Sequence, residues 1–241
     1  MRLDKFLVST GKISRSDAGR AARGGKITVN GIVEKHADRH IDPDTDIITL
    51  HGERIVYRRY TYILLNKPAG YVSATEDGRE ATVLTLLPEE LQRIGLFPCG
   101  RLDKYTLGLM LLTNDGELSH HLLSPRHHVE KRYAYTCRLP LLPQDIELLE
   151  QGVELEDGYI TKPARMIAEP HSTNGVIVLT EGKYHQIKRM FEAVGNKIVT
   201  LERITFGPIS LDPTLDRGEW RYLSDEEVAL LQAGVKGVDD P

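Results

Sequence analysis

The chain has 241 residues, of which 40% are hydrophobic and 27% charged, with a formal net charge of −4; this is typical of a soluble protein with one medium and one small domain. Only two cysteines are present, Cys99 and Cys137, which excludes a disulfide framework and a four-cysteine metal site within one chain. The apolar runs are too short to span a membrane, and the first residues lack the apolar segment of a signal peptide, so we expect a cytoplasmic protein with no membrane partner.

The basic residues are concentrated near the amino terminus. Residues 1–39 contain nine Lys or Arg against four Asp or Glu, a net charge of +5, so the rest of the chain carries −9. A local basic patch attracts phosphates even when the whole chain is acidic. This distribution favours a nucleic-acid-binding surface in the first 39 residues; the alternative is a solvated basic face on a dimerisation or capping domain.

Two short helices and a hairpin are predicted in the same region. Apolar residues at helical spacing predict a helix ended by Gly11, and Ser14 is a favourable N-cap for a second helix that ends before Gly24. Asn30-Gly31 between two β-rich runs is typical of a two-residue hairpin. This unit resembles the S4 RNA-binding domain over roughly the first 50 residues. The resemblance implies that its basic side chains bind RNA: Arg2, Lys5, Arg15, Arg20, Arg23 and Lys26.

The next informative stretch surrounds a short apolar run, 107–112. This run predicts a buried strand that is closed by an Asn-Asp-Gly turn at 114–116. Before the strand, Arg101 and Asp103 lie between apolar residues, an arrangement that can aim one carboxylate at a substrate. The same residues also fit a turn cap or a simple Arg–Asp pair, so the pattern alone leaves the role of Asp103 open.

A loop, a strand and a helix further along carry the other candidate residues. Four histidines within 120–128 suggest a metal site, but no Cys, Asp or Glu completes a ligand set, and a basic loop facing phosphates fits better. Tyr133 opens an alternating strand, for which core packing is the ordinary explanation. The helix predicted near 187–194 has an apolar stripe for the core. Its opposite face could be merely solvated, but it groups three basic residues: His185, Lys188 and Arg189.

Three motifs, in this order, resemble those of the RsuA-type pseudouridine synthases. They are 67–70 (Lys-Pro-Ala-Gly), 100–116 (starting Gly-Arg-Leu-Asp) and 181–191 (containing Tyr-His-Gln-Ile-Lys-Arg-Met-Phe). In that family the first motif is mostly structural and the second carries the catalytic Asp, here Asp103. The resemblance also implies an active-site Tyr at Tyr133 and a basic partner of the carboxylate at Lys188. Lys104-Tyr105 departs modestly from the pattern.

The resemblance further implies an α+β fold in two domains. Residues 1–59 would form the S4-like RNA-binding domain and linker, 60–233 a catalytic domain with a mixed, largely antiparallel central sheet, and 234–241 a flexible tail. Similarity at 124–128 and 161–164 points to the branch of the family that modifies small-subunit (16S) ribosomal RNA. The large-subunit (23S) branch shares the same catalytic motifs and is the alternative.

The implied reaction is the isomerisation of a uridine to pseudouridine. Ionised Asp103 would attack C1′ or C6 or deprotonate the sugar, Lys188 would favour its charged form, and Tyr133 would stack beneath the uracil and assist loss of the C5 proton. No cofactor or metal is expected, because the reaction involves neither a redox change nor a group transfer. Further substrate contacts are expected from Arg101, Arg126, His185 and Arg189.

The expected partner is ribosomal RNA or an assembling small ribosomal subunit, and we expect a monomer. Two other classes of function are open at this point. One is a non-catalytic RNA-binding or ribosome-assembly protein that has kept the fold, against which the joint presence of Asp103, Tyr133 and Lys188 argues. The other is a glycosidase that uses Asp103 as half of a carboxylate pair, for which no partner carboxylate is evident in a matching motif.

Overall fold

The structure is a computed structural model that describes residues 1–124 and 126–236. The chain divides into two compact units. The first contains Met1–Thr61 and Leu84–Phe97, and the second contains Tyr62–Val83 and the residues from Pro98 onward. Within the described residues, no helix is both long and apolar enough to cross a membrane.

The first unit packs two helices on a four-stranded antiparallel sheet of order β2-β1-β3-β4. Its elements are α1 (Leu3–Ser9), α2 (Arg15–Arg23), β1 (Ile27–Val29), β2 (Ile32–Val33), β3 (Ile48–Leu50) and β4 (Glu53–Ile55). The Ser14 hydroxyl accepts from the Asp17 N–H, so the predicted cap of α2 is confirmed. The predicted hairpin is confirmed too, because Asn30 and Gly31 both have positive φ, as a two-residue type I′ turn requires.

The core of the first unit joins apolar residues from both helices to the inner faces of the strands. Its fully buried members include Leu3, Phe6 and Leu7 of α1 and Ala18 and Ala22 of α2. The small alanines allow α2 to lie close to the rest of this core. Burial of this apolar surface, at about 25 cal/mol per Å², is the main term that holds so small a unit together.

The chain returns to the first unit after β5 (Tyr62–Lys67). This return comprises a 3-10 turn at Val83–Leu86 and the short helix α3 (Glu89–Gln92), and it ends at β6 (Phe97–Pro98). Gly11 allows α3 to approach the end of α1, because a Cβ at Gly11 would lie 1.9 Å from the carbonyl oxygen of Glu90. The division predicted from the sequence assigned this segment to the second domain, whereas its contacts join it to the first unit.

The second unit is built on a mixed sheet. The remaining elements are β7 (Leu107–Thr113), α4 (Gly116–Leu123), β8 (Lys131–Cys137), α5 (Pro143–Gln151), β9 (Arg165–Ile167), β10 (Asn174–Leu179), α6 (Gln186–Ala193), β11 (Ile198–Phe206), β12 (Ile209–Ser210), β13 (Trp220–Tyr222) and α7 (Asp225–Lys236). The sheet follows the order β13-β5-β7-β11-β8-β10-β9, with β12 paired to β11. Along that path only β7–β11 is parallel, so the predicted mixed, largely antiparallel sheet is confirmed.

The strands β5 and β7 form the buried centre from which the loops of the site emerge. Gly108, the one break in the predicted apolar run, has φ +93°, and a Cβ there would lie 2.4 Å from the carbonyl oxygen of Arg203. Glycine is therefore needed for β11 to pair beside β7. After β7, Asp115 caps α4 by accepting from the Leu118 N–H at 3.0 Å. At the end of the chain α7 continues to Lys236, within the predicted tail, and residues 237–241 lie outside the described residues.

Candidate active site

Asp103 lies in the loop that leads into β7, and its carboxylate has two basic neighbours from the start of α6. The Oδ2 atom is 2.8 Å from Lys188 Nζ, and Oδ1 is 3.4 Å from His185 Nε2. The Asp103 side chain is 25% exposed, so a substrate can still reach it. The structure thus brings Asp103 and Lys188, both predicted to be catalytic, together with His185, which was predicted to bind substrate.

A buried lysine fixes the loop that carries Asp103. Lys67, at the end of β5, is 0% exposed, and its ammonium group donates to the carbonyl oxygens of Pro68, Asp103, Lys104 and Thr106 at 2.9 to 3.2 Å. Burial lowers the pKa of Lys67 to about 8, and the negative charge of Asp103 opposes this shift. Because three of the four acceptors belong to 103–106, the ammonium group sets the backbone path beside the carboxylate.

Two further residues, Ser73 and Gly70, hold the same loop. The Ser73 hydroxyl donates to the carbonyl oxygen of Leu102 at 2.7 Å and accepts from the N–H of the same residue at 3.0 Å. The Gly70 N–H donates to the Lys104 carbonyl oxygen at 2.8 Å. The segment on either side of Asp103 is therefore fixed by hydrogen bonds from the 67–73 turn, which restricts where its side chain can point.

His185 reaches the carboxylate through an uncommon backbone conformation at the start of α6. Its φ of 49° and ψ of 30° lie in the left-handed region, which non-glycine residues seldom occupy. The next residue, Gln186, is buried and donates to Glu181 Oε1 at 2.6 Å, while its own Oε1 accepts from the Lys183 N–H at 2.9 Å. These two hydrogen bonds close the turn before α6 and hold His185 in place.

Tyr133 lies on β8, buried on the face that the alternating pattern predicts. In register it pairs with Arg203 of β11, whose Nε donates to the Leu109 carbonyl oxygen at 2.8 Å. Lys131, on the same face of β8, is also buried, and burial lowers its pKa to about 8. Tyr133 therefore lies in a buried region that contains two cationic side chains. Among the described residues, no hydrogen bond joins it to Asp103.

Arg189 was predicted to bind substrate from the same helix face as Lys188, but it has different partners. Its Nη2 is 2.6 Å from Asp157 Oδ2 and its Nε is 3.5 Å from Glu156 Oε1, with the side chain only 12% exposed. This guanidinium holds the pKa of Asp157 below its usual value. Consecutive helical residues are rotated by about 100°, so the two cations diverge. In this structure Arg189 therefore braces the 156–157 turn, and its contact with substrate stays a prediction.

The other two arginines predicted to bind substrate remain available for a ligand. Arg101 lies two residues before Asp103, and Arg126 lies in the loop after α4; both are exposed. Neither forms an ion pair with any other described residue. Arg101 is therefore exposed and outside any ion pair with the described residues, two positions before Asp103, and no contact joins Arg126 to Asp103 in the described part of the chain.

The basic residues of the first unit divide into two groups. Arg2 and Arg15 approach Asp4 at 2.7 and 3.6 Å, and Arg20 pairs with Asp17 at 2.7 Å. The hydrogen bond from Arg2 lowers the pKa of Asp4. The remaining residues predicted to bind RNA are exposed and form no ion pair with described residues: Lys5, Arg23 and Lys26. These three cations can meet phosphates without first breaking an internal pair.

The histidine-rich loop does not form a metal site in the described residues, where no three His, Cys, Asp or Glu side chains are grouped to hold an ion. Two of these histidines pack on each other instead. The rings of His121 and His127 are stacked with centroids 3.5 Å apart, and His127 Nδ1 is 2.8 Å from the His121 carbonyl oxygen.

Comparisons with known proteins assign the chain to a family. The family model described as RNA pseudouridylate synthase matches residues 61–193, and that of the S4 domain matches residues 1–47. The chain belongs to the RNA pseudouridylate synthase family. This assignment confirms the predicted α+β fold with an S4 domain at the amino terminus, and the predicted reaction, formation of pseudouridine in RNA. The matched range contains Asp103, Tyr133 and Lys188.

The relatives of this pseudouridylate synthase resemble it over nearly their whole length. An uncharacterised RNA pseudouridine synthase of Bacillus subtilis (strain 168), YtzG, is 46% identical over 96% of this chain and 98% of its own. The ribosomal small subunit pseudouridine synthase A of Escherichia coli (strain K12) is 42% identical over 96% of this chain and all of its own. Among solved structures, a pseudouridylate synthase superposes with a TM-score of 0.68 at 36% identity, covering 96% of this chain and 99% of its own.

The sequence analysis missed the residues that hold the loop around Asp103 in this synthase. The motif at 67–70 was recognised, and its only direct signal was a lysine placed at the end of a mostly apolar strand. The acceptors of Lys67 are backbone carbonyl groups, which every residue has, so the side chains at those positions do not indicate these hydrogen bonds. Ser73 carried no signal at all.

Proposed function

We propose that this synthase converts one uridine of small-subunit ribosomal RNA to pseudouridine, with Asp103 as its catalytic carboxylate. The observation that carries the proposal is the pairing of Asp103 with Lys188 at 2.8 Å, in a loop fixed by buried hydrogen bonds yet open to solvent. The choice of small-subunit RNA is supported by the name of the Escherichia coli relative.

The reaction moves one bond within the substrate. The bond between C1′ and N1 breaks, the uracil turns in the site, and a bond between C1′ and C5 forms; the proton on C5 leaves and N1 ends protonated. A carboxylate at the sugar–base junction can serve by attack at C1′, by addition to C6 or by removal of a sugar proton. In each route Lys188 stabilises the carboxylate charge and fixes the direction of its Oδ2. Since atoms and electrons balance within the nucleotide, the chain's own residues suffice.

The target base must leave its helix to meet Asp103, at a cost of roughly a few kcal/mol. In this proposal Tyr133 packs beneath the extruded uracil and assists removal of the C5 proton. Exposed Arg101, two residues before the carboxylate, enters the vacated stack or binds the neighbouring phosphate.

In this proposal the first unit supplies affinity for RNA. Each cation that neutralises a phosphate releases a counterion, so the unpaired Lys5, Arg23 and Lys26 are the principal contributors in this proposal. In the second unit, exposed Arg126 contributes a phosphate contact of its own in this proposal. We further propose that the synthase acts as a monomer in the cytoplasm, where it meets ribosomal RNA or an assembling small subunit.

The test compares the wild-type protein with Asp103→Asn on unmodified small-subunit RNA, large-subunit RNA and partially assembled small subunits. Pseudouridine is mapped by reverse-transcription stops that depend on carbodiimide treatment. Asp225→Asn, which neutralises an exposed carboxylate in the first turn of α7, is the matched control.

We expect one new stop in small-subunit RNA with the wild type and the control and none with Asp103→Asn, whose melting temperature stays within about 2 °C. A stop confined to large-subunit RNA would overturn the assignment of the substrate. A stop that persists in Asp103→Asn would overturn the role of Asp103. Absence of any stop, with tight RNA binding, would favour the non-catalytic assembly function.

A further inference from the structure

Two tyrosines beside the catalytic carboxylate are strongly exposed. Tyr184 is 74% exposed and Tyr105 is 69% exposed, whereas Tyr133 is buried. An exposed aromatic ring gains little from the fold, because most of its apolar surface stays in water. The roles assigned above to Asp103, Lys188 and Tyr133 use neither of these rings.

Of the two, Tyr184 is connected directly to the site. Its ring stacks on that of His185, with centroids 3.9 Å apart and planes at 18°, and His185 Nε2 is in turn 3.4 Å from Asp103 Oδ1. Tyr105 differs, since the contact of its ring among the described residues is with the Lys104 ammonium group, 5.7 Å from the ring centroid. One face of Tyr184 is therefore supported by an active-site side chain, and most of the ring is open.

The backbone of Tyr184 is fixed although its ring is exposed. Arg189 Nη1 donates to the Tyr184 carbonyl oxygen at 3.4 Å, and the preceding residue, Lys183, donates its N–H to Gln186 at 2.9 Å. The left-handed conformation of His185 then turns the two neighbouring rings onto each other. A left-handed conformation is unfavourable for residues other than glycine and persists where surrounding contacts determine it. The ring is thus held ready before any ligand binds.

Unpaired RNA bases are recognised by stacking on exposed aromatic rings, and a supported, preorganised ring loses little entropy when a base stacks on it. We propose that Tyr184 is a substrate-positioning residue whose ring stacks with an unpaired base next to the target uridine. The proposal rests on the proposed function, because it places this base beside a uridine that reacts at Asp103. In this proposal Arg189 contributes by holding the Tyr184 carbonyl group.

The test has two arms, both with the full chain. In the first, KM and kcat for unmodified small-subunit RNA are measured for the wild type, Tyr184→Ala and Tyr184→Phe, with Tyr105→Ala as the matched exposed tyrosine. We expect Tyr184→Ala to raise KM by about 5- to 150-fold while kcat changes little, and Tyr184→Phe to restore the wild-type KM. Tyr105→Ala should change KM less than Tyr184→Ala does.

The second arm measures equilibrium binding in the inactive Asp103→Asn background, with and without Tyr184→Ala. The probes are the same small-subunit RNA and a fully paired 20-base-pair RNA duplex. Loss of affinity for the first probe alone supports stacking with an unpaired base. If Tyr184→Ala leaves the affinity for both RNA probes unchanged, or lowers it equally for both, the proposal is overturned. It is also overturned if Tyr184→Phe raises KM in the first arm as much as Tyr184→Ala does. Because this arm requires no turnover, its outcome is separate from that of the catalytic proposal.

Discussion

The first unit carries six basic residues that are predicted to bind RNA, here called the basic face: Arg2, Lys5, Arg15, Arg20, Arg23 and Lys26. The loop around Asp103 and this basic face both place charge where RNA is proposed to bind, but they do so in opposite ways. The loop is fixed by Lys67, a fully buried cation whose donors are all occupied by backbone carbonyl groups. The basic face uses exposed side chains, some paired and some not. Chemistry on one atom requires a fixed geometry, whereas attraction to a phosphate chain adds up over many mobile charges.

The largest expected effect comes from Lys67→Met. It removes four hydrogen bonds and leaves buried carbonyl groups without donors, so we expect the free energy of unfolding to fall by about 3 kcal/mol. The released loop should also lower kcat by about 100-fold or more, since misplacement by about 1 Å has that effect. Chemical denaturation and single-turnover assays test both. Lys197→Met, at an exposed lysine, is the control, and equal losses in the two variants would contradict the bracing role.

The buried Lys67 also predicts how the free energy of unfolding changes with pH. The sign is opposite to that expected for an exposed lysine whose pKa is raised by an ion pair. Burial lowers its pKa from 10.5 to about 8, so between these values the unfolded chain binds more protons than the folded one. The contribution of Lys67 to stability therefore rises as pH increases from about 8 towards 10.5. We expect the difference in unfolding free energy between the wild type and Lys67→Met to be larger at pH 10 than at pH 7. A difference that shrinks as pH rises would show that the pKa of Lys67 is not lowered in the folded protein.

Lys188→Met should have a smaller effect on stability and a clear effect on rate. The partner lost is a single partly exposed ammonium group 2.8 Å from the carboxylate, and we expect kcat to fall by about 100-fold with RNA affinity unchanged. Arg189→Met is the matched neighbour on α6. Its partners are Glu156 and Asp157, so its kcat should stay within a few-fold of the wild type. Equal losses of kcat in the two variants would show that the helix face acts as a whole.

Removal of cations from the basic face should weaken RNA binding in small, additive steps. In the triple variant Lys5→Ala/Arg23→Ala/Lys26→Ala, we expect the slope of log binding constant against log salt concentration to decrease by roughly 2 to 3, with kcat at saturating RNA unchanged. Arg20→Ala removes a cation already paired with Asp17 and should change the slope by less than about 1. If Arg20→Ala has the effect of the whole triple variant, the division into paired and unpaired cations is wrong.

The smallest effect expected is that of Ser73→Ala. The hydroxyl makes two hydrogen bonds to Leu102, so its loss should cost about 1 to 2 kcal/mol in stability. Because Lys67 still holds the other side of the loop, kcat should fall only a few-fold. Thermal unfolding and single-turnover assays measure the two effects. A loss of kcat as large as that of Lys67→Met would indicate that Ser73, not Lys67, positions the carboxylate.

The sequence predicted the structural features that depend on residues close together in the chain. The hairpin at Asn30-Gly31, the cap at Ser14 and the apolar stripe of α6 follow from turn chemistry and helical spacing, and each was found. The β13 strand was not predicted, because three residues without a clear alternation give no periodic signal. Lys188 and Arg189 both lie outside the buried stripe of α6, as predicted, but they have different acidic partners, which helical spacing alone does not reveal.

The site was predicted in part. The resemblance to a family predicted that Lys188 lies next to Asp103, and in the structure the two side chains are 2.8 Å apart. The contacts of Lys67 could not be inferred, because they join residues up to 39 positions apart through backbone atoms. Tyr184 was part of a recognised motif, but its exposure and its stacking on His185 depend on a left-handed residue that spacing does not reveal.

The return of Leu84–Phe97 to the first unit has a consequence for recombination between related genes. A single crossover near residue 60 would transfer the residues before it but leave behind α3, whose Glu90 lies against Gly11. Exchange of the RNA-binding unit between two members of the family therefore requires three junctions, near 61, 83 and 97. Chimaeras made at the first junction alone should unfold at lower temperature than those made at all three.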